Sequence, residues 1–386
     1  MPGEQTRTWV ILTPEYPPDI GGVADHSRQI AEILAAAGHR VMVAAKGDGP
    51  GSDERGVRVM RFPEGLGIRG LVRLSRDLTT AAAPLRVLLA HVPTAFGYRG
   101  MNLAIPIWLR TGLPPRTLVD LMFHEVATPW MRRPLRWNVV AAASRLTALM
   151  LLRRADRIFV STPAWEPMLR RLGARDRTIS RLPVMSPLPT RADSKRSAQI
   201  RSRLLGSQAT SLVGHFGTSQ GQTAGLHTRV FGEVLELRNV ACLFIGKGSR
   251  QFARDLAARM PRAADRIHGV GVLEARDAAD HLAACDLALQ PYPDGITLRR
   301  TSAMAALGLG VPTVTNRGRL TEAEWDVSES VILTSEEELA ERVACLLARG
   351  DVIQAVGEAG RAFYEAHCSI ASAVTSLEIQ PQRPRP

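Results

Sequence analysis

Two series of short apolar runs, each alternating with segments of helical periodicity, occupy most of this chain, and a proline-rich interruption separates them. The first series opens with Trp9–Leu12, a loop from Pro14 to Gly22, a helix-periodic stretch from Ala24 to Ala37, the turn Gly38-His39 and the run Val41–Val43. That succession reads as strand, loop, helix, turn, strand. Further strand-like runs follow at Val57–Arg61, Leu85–Ala90, Leu118–Phe123 and Arg157–Val160. Leu182-Pro-Val-Met-Ser-Pro-Leu-Pro189 and the polar run Arg191–Arg196 then break the pattern. The second series comprises Ser211–Phe216, Ala241–Ile245, Ile267–Val270, Leu287–Gln290, Thr313–Thr315 and Val331–Leu333. Strands alternating with helices imply parallel sheets covered by helices. The expectation is an α/β chain of two Rossmann-like, doubly wound parallel-sheet domains: 1–182, a linker at 183–196, a second domain over 197–360, a helix over 361–378 that returns to the first domain, and a disordered tail at 379–386.

With 386 residues, 45% of them hydrophobic and 22% charged, the chain has enough apolar material for two such cores and is not of disordered or fibrous composition. Its four cysteines, Cys242, Cys285, Cys345 and Cys368, stand singly, without the paired spacing of a zinc or redox motif, so a reduced cytoplasmic protein is expected. No signal-peptide succession precedes Thr8. The most apolar window, Asn138–Leu152, is 15 residues long, contains Arg145 and is too short to span a membrane. Charge is distributed unevenly: residues 1–190 hold 26 Lys and Arg against 15 Asp and Glu, whereas residues 191–386 hold 23 against 22. Residues 99–181 carry 15 basic and 5 acidic side chains, so an anionic partner is expected on the N-terminal half. Nucleic acid is a poor fit, because aromatic content is 5% and no recognition motif is present. An anionic membrane surface fits better, with the protein peripheral at the inner face. Trp130-Met-Arg132-Arg133-Pro-Leu-Arg136-Trp137 interleaves indoles with guanidinium groups as interfacial segments do, although a solvated basic helix face reads the same way.

Ligands of parallel α/β domains sit beyond the carboxyl ends of the strands, where helix N-termini offer amides to phosphates. Three such loops stand out. In Pro17-Pro-Asp-Ile-Gly21-Gly22 two glycines allow close backbone approach to a ligand, or form an ordinary tight turn. Phe123-His124-Glu125 places an imidazole at a strand end, as an exposed rim residue for a sugar hydroxyl or as a structural histidine. Gln290-Pro-Tyr-Pro-Asp294-Gly-Ile-Thr297-Leu-Arg299-Arg300-Thr301-Ser302 runs into a small-residue helix. There it gathers amides, hydroxyls and guanidinium groups that suit a diphosphate, or a solvated basic cap. Gly214-His215-Phe216-Gly217-Thr218, Gly246–Ser249 and Gly269–Leu273 are weaker strand-to-loop junctions. Gly246–Ser249 lacks the rest of a P-loop, so Lys247 is expected to be solvated.

Together these residues resemble family-4 glycosyltransferases of the GT-B fold over nearly the whole chain. The opening Pro14-Glu-Tyr-Pro-Pro-Asp-Ile-Gly21-Gly22-Val, with Gly38-His39-Arg-Val after its helix, is similar to the family's N-terminal signature, whose glycine loop faces donor phosphates. His124 and Glu125 resemble the family's His followed by an acidic residue. Gly269–Leu273 resembles the segment that holds the nucleobase, which implies roles for Val272 and Leu273. Two departures stand beside the likeness. Counting back from Pro312, the family's paired glutamates fall near Thr297 and on Ala305, with Asp294 as the nearest carboxylate. Ser219-Gln-Gly-Gln222 stands where the phosphate-binding Arg and Lys are usual. The resemblance implies two domains facing a central cleft and retaining transfer of a sugar from a nucleoside diphosphate sugar to a glycan or lipid-linked acceptor. His124 and Arg300 are the catalytic candidates. Gly21, Gly22, Gly217, Thr218, Val272, Leu273, Asp294, Thr297, Arg299, Thr301 and Ser302 are the donor-binding candidates. No cofactor is expected beyond the donor, and no metal, since no DxD motif is present. A non-catalytic sugar-nucleotide-binding protein and a sugar-nucleotide epimerase on the same fold are the alternatives.

Overall fold

The structure, a computed structural model, describes residues 6–79, 84–97, 102–132, 135–205 and 209–378; the tail 379–386 and Arg133–Pro134 lie outside them. It divides into two compact units, one of residues up to Leu182 together with those from Ala373 on, the other of Pro183–Ser372.

The first unit contains β1 (Thr8–Thr13), β2 (Arg40–Lys46), β3 (Ser52–Glu54), β4 (Val57–Phe62), β5 (Leu85–His91), β6 (Leu118–Phe123), β7 (Arg157–Val160) and β8 (Ile179–Arg181). They form one sheet in the order β3-β4-β2-β1-β5-β6-β7-β8, parallel except for β3. β1 and β5 are buried at every position, as expected of central parallel strands covered on both faces. Strand order reverses between them, so the loops after β1 and β5 border the place where such sheets bind ligands.

A buried ion cluster braces this sheet. Asp120 on β6 is 0% exposed and accepts from Arg86 Nε at 2.7 Å on β5 and from Arg157 Nη2 at 2.7 Å on β7. Arg86 lies 5.1 Å from the Trp9 ring centroid on β1, and Arg157 Nη1 donates to the Leu377 carbonyl at 2.7 Å. The cluster therefore ties neighbouring strands to one another and fastens the last helix to the sheet.

The second unit contains β9 (Ser211–Phe216), β10 (Val240–Ile245), β11 (Ile267–Gly271), β12 (Leu287–Gln290), β13 (Thr313–Asn316) and β14 (Ile332–Thr334) in the order β11-β10-β9-β12-β13-β14, all parallel. One face of its core is built on edge-to-face phenylalanines, Phe231 to Phe244 at 4.7 Å and Phe244 to Phe252 at 4.9 Å. Its order reverses between β9 and β12.

Two expectations need correcting. The linker proposed at 183–196 is packed chain: Val184, Met185 and Ser186 are buried in the second unit, the Ser186 amide donates to the Tyr364 hydroxyl at 3.2 Å, and residues from Ser194 begin a helix ending at Leu205. The single helix proposed over 361–378 is two, Gly350–His367 and Ile370–Glu378. Cys368 leaves helical geometry at φ −129° and ψ 9°, and Ser369 Oγ accepts the Ser372 amide at 3.3 Å, which starts the second helix.

Candidate functional site

In the second unit the loop Pro291–Arg300 leaves β12 at the strand-order reversal and enters the helix Thr301–Leu309. Its shape is imposed by the last residue of β13 and the chain after it. Asn316 Oδ1 accepts the Tyr292 amide at 2.7 Å, Asn316 Nδ2 donates to the Tyr292 carbonyl at 2.8 Å, and the Asn316 carbonyl takes the Ile296 amide at 3.1 Å. The buried Glu322 carboxylate accepts the Leu298 amide at 3.1 Å and Trp325 Nε1 at 2.8 Å. Gly295 has φ +81°, and a Cβ there would stand 2.2 Å from the Gly318 nitrogen, so only glycine fits.

This scaffold presents a helix start suited to an anion. Arg300 occupies the cap position without a side-chain cap, and no acidic residue lies in the first turn, so the positive end of the helix dipole is not offset locally. The Arg300 guanidinium sits 4.7 Å from the Tyr292 ring centroid, and the Tyr292 hydroxyl is 2.8 Å from Ser302 Oγ. Burial pushes the Tyr292 hydroxyl up to about 12, which keeps it protonated. The Gly217 turn, at φ +143°, packs against the helix start, with a Cβ there 3.5 Å from Ser302 Cβ. Thr218 is exposed, and Arg299, Arg300, Thr301 and Ser302 are half-buried. Gly217, Arg300 and Ser302 are thus brought together.

Other expected contacts are not presented in this way. Thr297 is 0% exposed, and its hydroxyl is shut in without a partner among the described residues. Asp294 Oδ1 lies 3.4 Å from Arg319 Nη2. Ala305 is in the apolar core. Val272, 53% exposed, and half-buried Leu273 follow the edge strand β11. Asn316, Glu322 and Tyr292 were not legible as site residues, because they act on a loop from 24 residues away or through burial alone.

Two buried histidines underlie the Gly217 turn. His215 and His227 are edge-on at 4.4 Å between ring centroids, and His215 Nδ1 bonds to the Leu289 carbonyl at 3.1 Å. Burial pulls the His227 pKa from its ordinary 6.5 down to about 4 and moves His215 in the same direction. The unfolded chain therefore takes these protons below about pH 6.5, whereas native His227 refuses its proton until about pH 4 and native His215 resists protonation in the same sense. Stability is full above pH 6.5 and falls as pH drops from there. At pH 5.5 the loss assigned to His227 is about 1.4 kcal/mol relative to pH 7.5. Urea midpoints at the two pH values check this: His227→Gln should flatten the dependence, and an unaltered slope would refute the assignment.

In the first unit, Gly21 caps the helix Gly22–Ala36, but the amides of Val23 and Ala24 are taken by the carboxylate of Glu15, whose pKa is raised by burial. A Cβ on Gly21 would lie 2.5 Å from Glu15 Oε1. The cradle expected to face donor phosphates thus holds an anion of the chain's own, favoured there by the helix N-terminus. His124 is not an exposed rim residue: it is buried, with its ring 4.9 Å from that of buried His26 in a T-shaped arrangement, and its carbonyl accepts Trp165 Nε1 at 2.9 Å. A cavity of about 270 Å³ opens at the carboxyl ends of β1, β2 and β4, lined by Thr13, Lys46, Glu64 and Phe96 among others. A hydroxyl, a cation, a carboxylate and an aromatic face form a set able to bind a polyhydroxylated group.

Residues 21–184 match a family described as glycosyl transferase 4-like domain. No curated protein matches the chain by sequence. Solved structures similar to it include sucrose-phosphate synthase from Thermosynechococcus elongatus, with a TM-score of 0.75 and 17% identity over 96% of this chain and 97% of that one. Anabaena Alr3699/HepE in complex with UDP and glucose gives a TM-score of 0.68 and 15% identity over 97% and 98%. WaaG, a glycosyltransferase involved in lipopolysaccharide biosynthesis, gives 0.62 and 18% over 97% and 100%. The two parallel-sheet units are the GT-B fold.

Proposed function

We propose that this glycosyltransferase, a GT-B chain carrying a glycosyl transferase 4-like domain, moves a sugar from a nucleoside diphosphate sugar to a lipid-linked or glycan acceptor with retention of anomeric configuration. The observation that carries this reading is the start of the helix Thr301–Leu309, where first-turn amides, Arg300 and the Gly217 turn converge with no competing carboxylate in that turn. In the transfer, the bond from the anomeric carbon to the β-phosphate oxygen breaks and the acceptor oxygen bonds to that carbon. The acceptor proton leaves with the diphosphate. Charge grows on the diphosphate as the bond opens, and preorganised donors at that point lower the barrier. The UDP and glucose bound in the Anabaena relative support this donor class.

The acceptor side rests on a separate observation. Trp130 is 56% exposed, Met131, Leu135, Trp137 and Val139 are also exposed, and the Arg145 guanidinium lies 4.5 Å from the Trp130 ring centroid. Residues 126–155 contain six arginines and no acidic residue. Indoles beside cations suit an anionic lipid interface, which favours an acceptor presented at a membrane surface. No helix among the described residues is long and apolar enough to cross a membrane. The non-catalytic reading is favoured by Ala305 and Thr297, which stand where the resemblance expects glutamates. Incubating the protein with a panel of nucleoside diphosphate sugars and anionic lipid extract decides between them. Acceptor-dependent release of nucleoside diphosphate with labelled lipid is expected. Donor binding without release supports the binding protein, and an isomerised donor the epimerase.

A further inference from the structure

The second unit has a larger cavity, of about 700 Å³, at the opposite end of its sheet from the Pro291–Arg300 loop. Its lining includes Ala283 and Ala284, just before β12, and Leu309, just before β13, so it lies toward the amino ends of the strands. Arg191, Arg201 and Arg361 line it, and no carboxylate does among the described residues. The three guanidinium groups differ in freedom. Arg201 is a brace, donating to Asp286 Oδ2 at 2.6 Å and to the Thr210 carbonyl at 3.0 Å. Arg361 spends only Nε, on Glu365 at 3.0 Å, which leaves both Nη groups without a bond among the described residues. Arg191 makes no hydrogen bond or ion pair among them.

The hydroxyls of Thr190 and Ser194 share the lining with Ser197, which is 7% exposed and whose hydroxyl has no partner among the described residues. The adjacent helix start is not the attraction, since Asp193 Oδ1 already accepts the Lys195 amide at 2.9 Å and the Arg196 amide at 3.1 Å. What remains is a cavity of small-ligand size with two guanidinium groups able to grip an anion and hydroxyls beside them.

We propose that this cavity is a second ligand site, distinct from the donor site, that takes a phosphate-bearing small molecule between Arg191 and Arg361 and regulates the enzyme. The regulatory part rests on the donor reading above and on one element. The helix Thr301–Leu309, about 13 Å long at 1.5 Å per residue, begins at the donor loop and ends in this cavity. Its Gly308 packs so closely that a Cβ there would lie 3.1 Å from Thr190 Cγ2 and 3.4 Å from Tyr364. A ligand held between Arg191 and Arg361 would therefore lie beside Thr190, against the far end of the helix whose near end would hold the diphosphate.

Calorimetric titration of the full chain with inorganic phosphate, a hexose phosphate and unphosphorylated hexose tests the site without reference to activity. Saturable binding of the phosphorylated compounds alone is expected. It should weaken about 10-fold or more in Arg191→Ala/Arg361→Ala, with unchanged thermal midpoint, and persist in Arg300→Ala. Tighter binding of the hexose phosphate than of phosphate identifies a sugar phosphate as ligand, and equal binding identifies the free anion. Binding that the double variant retains, or that Arg300→Ala abolishes, overturns the site. Once a donor is known, the bound ligand should change donor KM at least about twofold in the wild type and not in the double variant. An unchanged KM overturns the regulatory role.

Discussion

Asp120→Ala is expected to destabilise the first unit by about 3–5 kcal/mol, because it removes the carboxylate bonded to both Arg86 and Arg157 and strands positive charge in a buried cluster. Burial already pulls the Arg86 pKa down, and Asp120 is what opposes it. Deleting the anion turns a cluster that roughly balances its desolvation cost into one that does not. Replacing all three residues with apolar ones of similar volume should cost far less, since no charge is then stranded. The remaining loss would include the bond from Arg157 to the Leu377 carbonyl, worth about 1 kcal/mol, and the stacking of Arg86 on Trp9. Because the chain has two units, denaturation should be followed with a reporter in each: the first-unit transition moves while the second holds. A shift below about 1 kcal/mol for Asp120→Ala would mean that water reaches the two arginines.

How far sequence carried the fold depended on burial. β1, β5 and β10 are buried at every position and stand out as apolar runs. β3 and β8, three residues each at the sheet edges and without an apolar run, leave no such trace. Leu182–Pro189 looks like a linker because prolines halt periodicity, yet proline restricts only backbone geometry, and Val184 and Met185 are free to bury. At the candidate site, the helix start at Thr301 was legible, since its donors are consecutive in the chain. The occupant of the Gly21–Gly22 cradle was not: that Glu15 folds back onto Val23 and Ala24 depends on the path of the loop between them. The burial of His124 depends likewise on His26, 98 residues away in sequence but 4.9 Å away in space. Glu322, which shapes the Pro291–Arg300 loop, reads in sequence as one more acid near a helix start.

That loop makes Arg300 the most telling position for function. With a donor and acceptor established, Arg300→Ala should lower kcat by about 100- to 1000-fold, the usual effect of losing one preorganised donor to developing charge. KM for the donor should move less, because the diphosphate gains charge only as the sugar departs, and a contact that strengthens in the transition state appears in kcat. Arg300→Lys should recover part of the loss by restoring charge without the planar group that lies over Tyr292. Tyr292→Phe separates positioning from charge. It removes the hydroxyl beside Ser302 Oγ while keeping the ring under Arg300, so a large loss there would assign the effect to the helix start rather than to the guanidinium. An Arg300→Ala enzyme with unaltered kcat would place the leaving diphosphate elsewhere. The helix start would then be a structural basic cap, and the amides near Gly217 would be the next place to look.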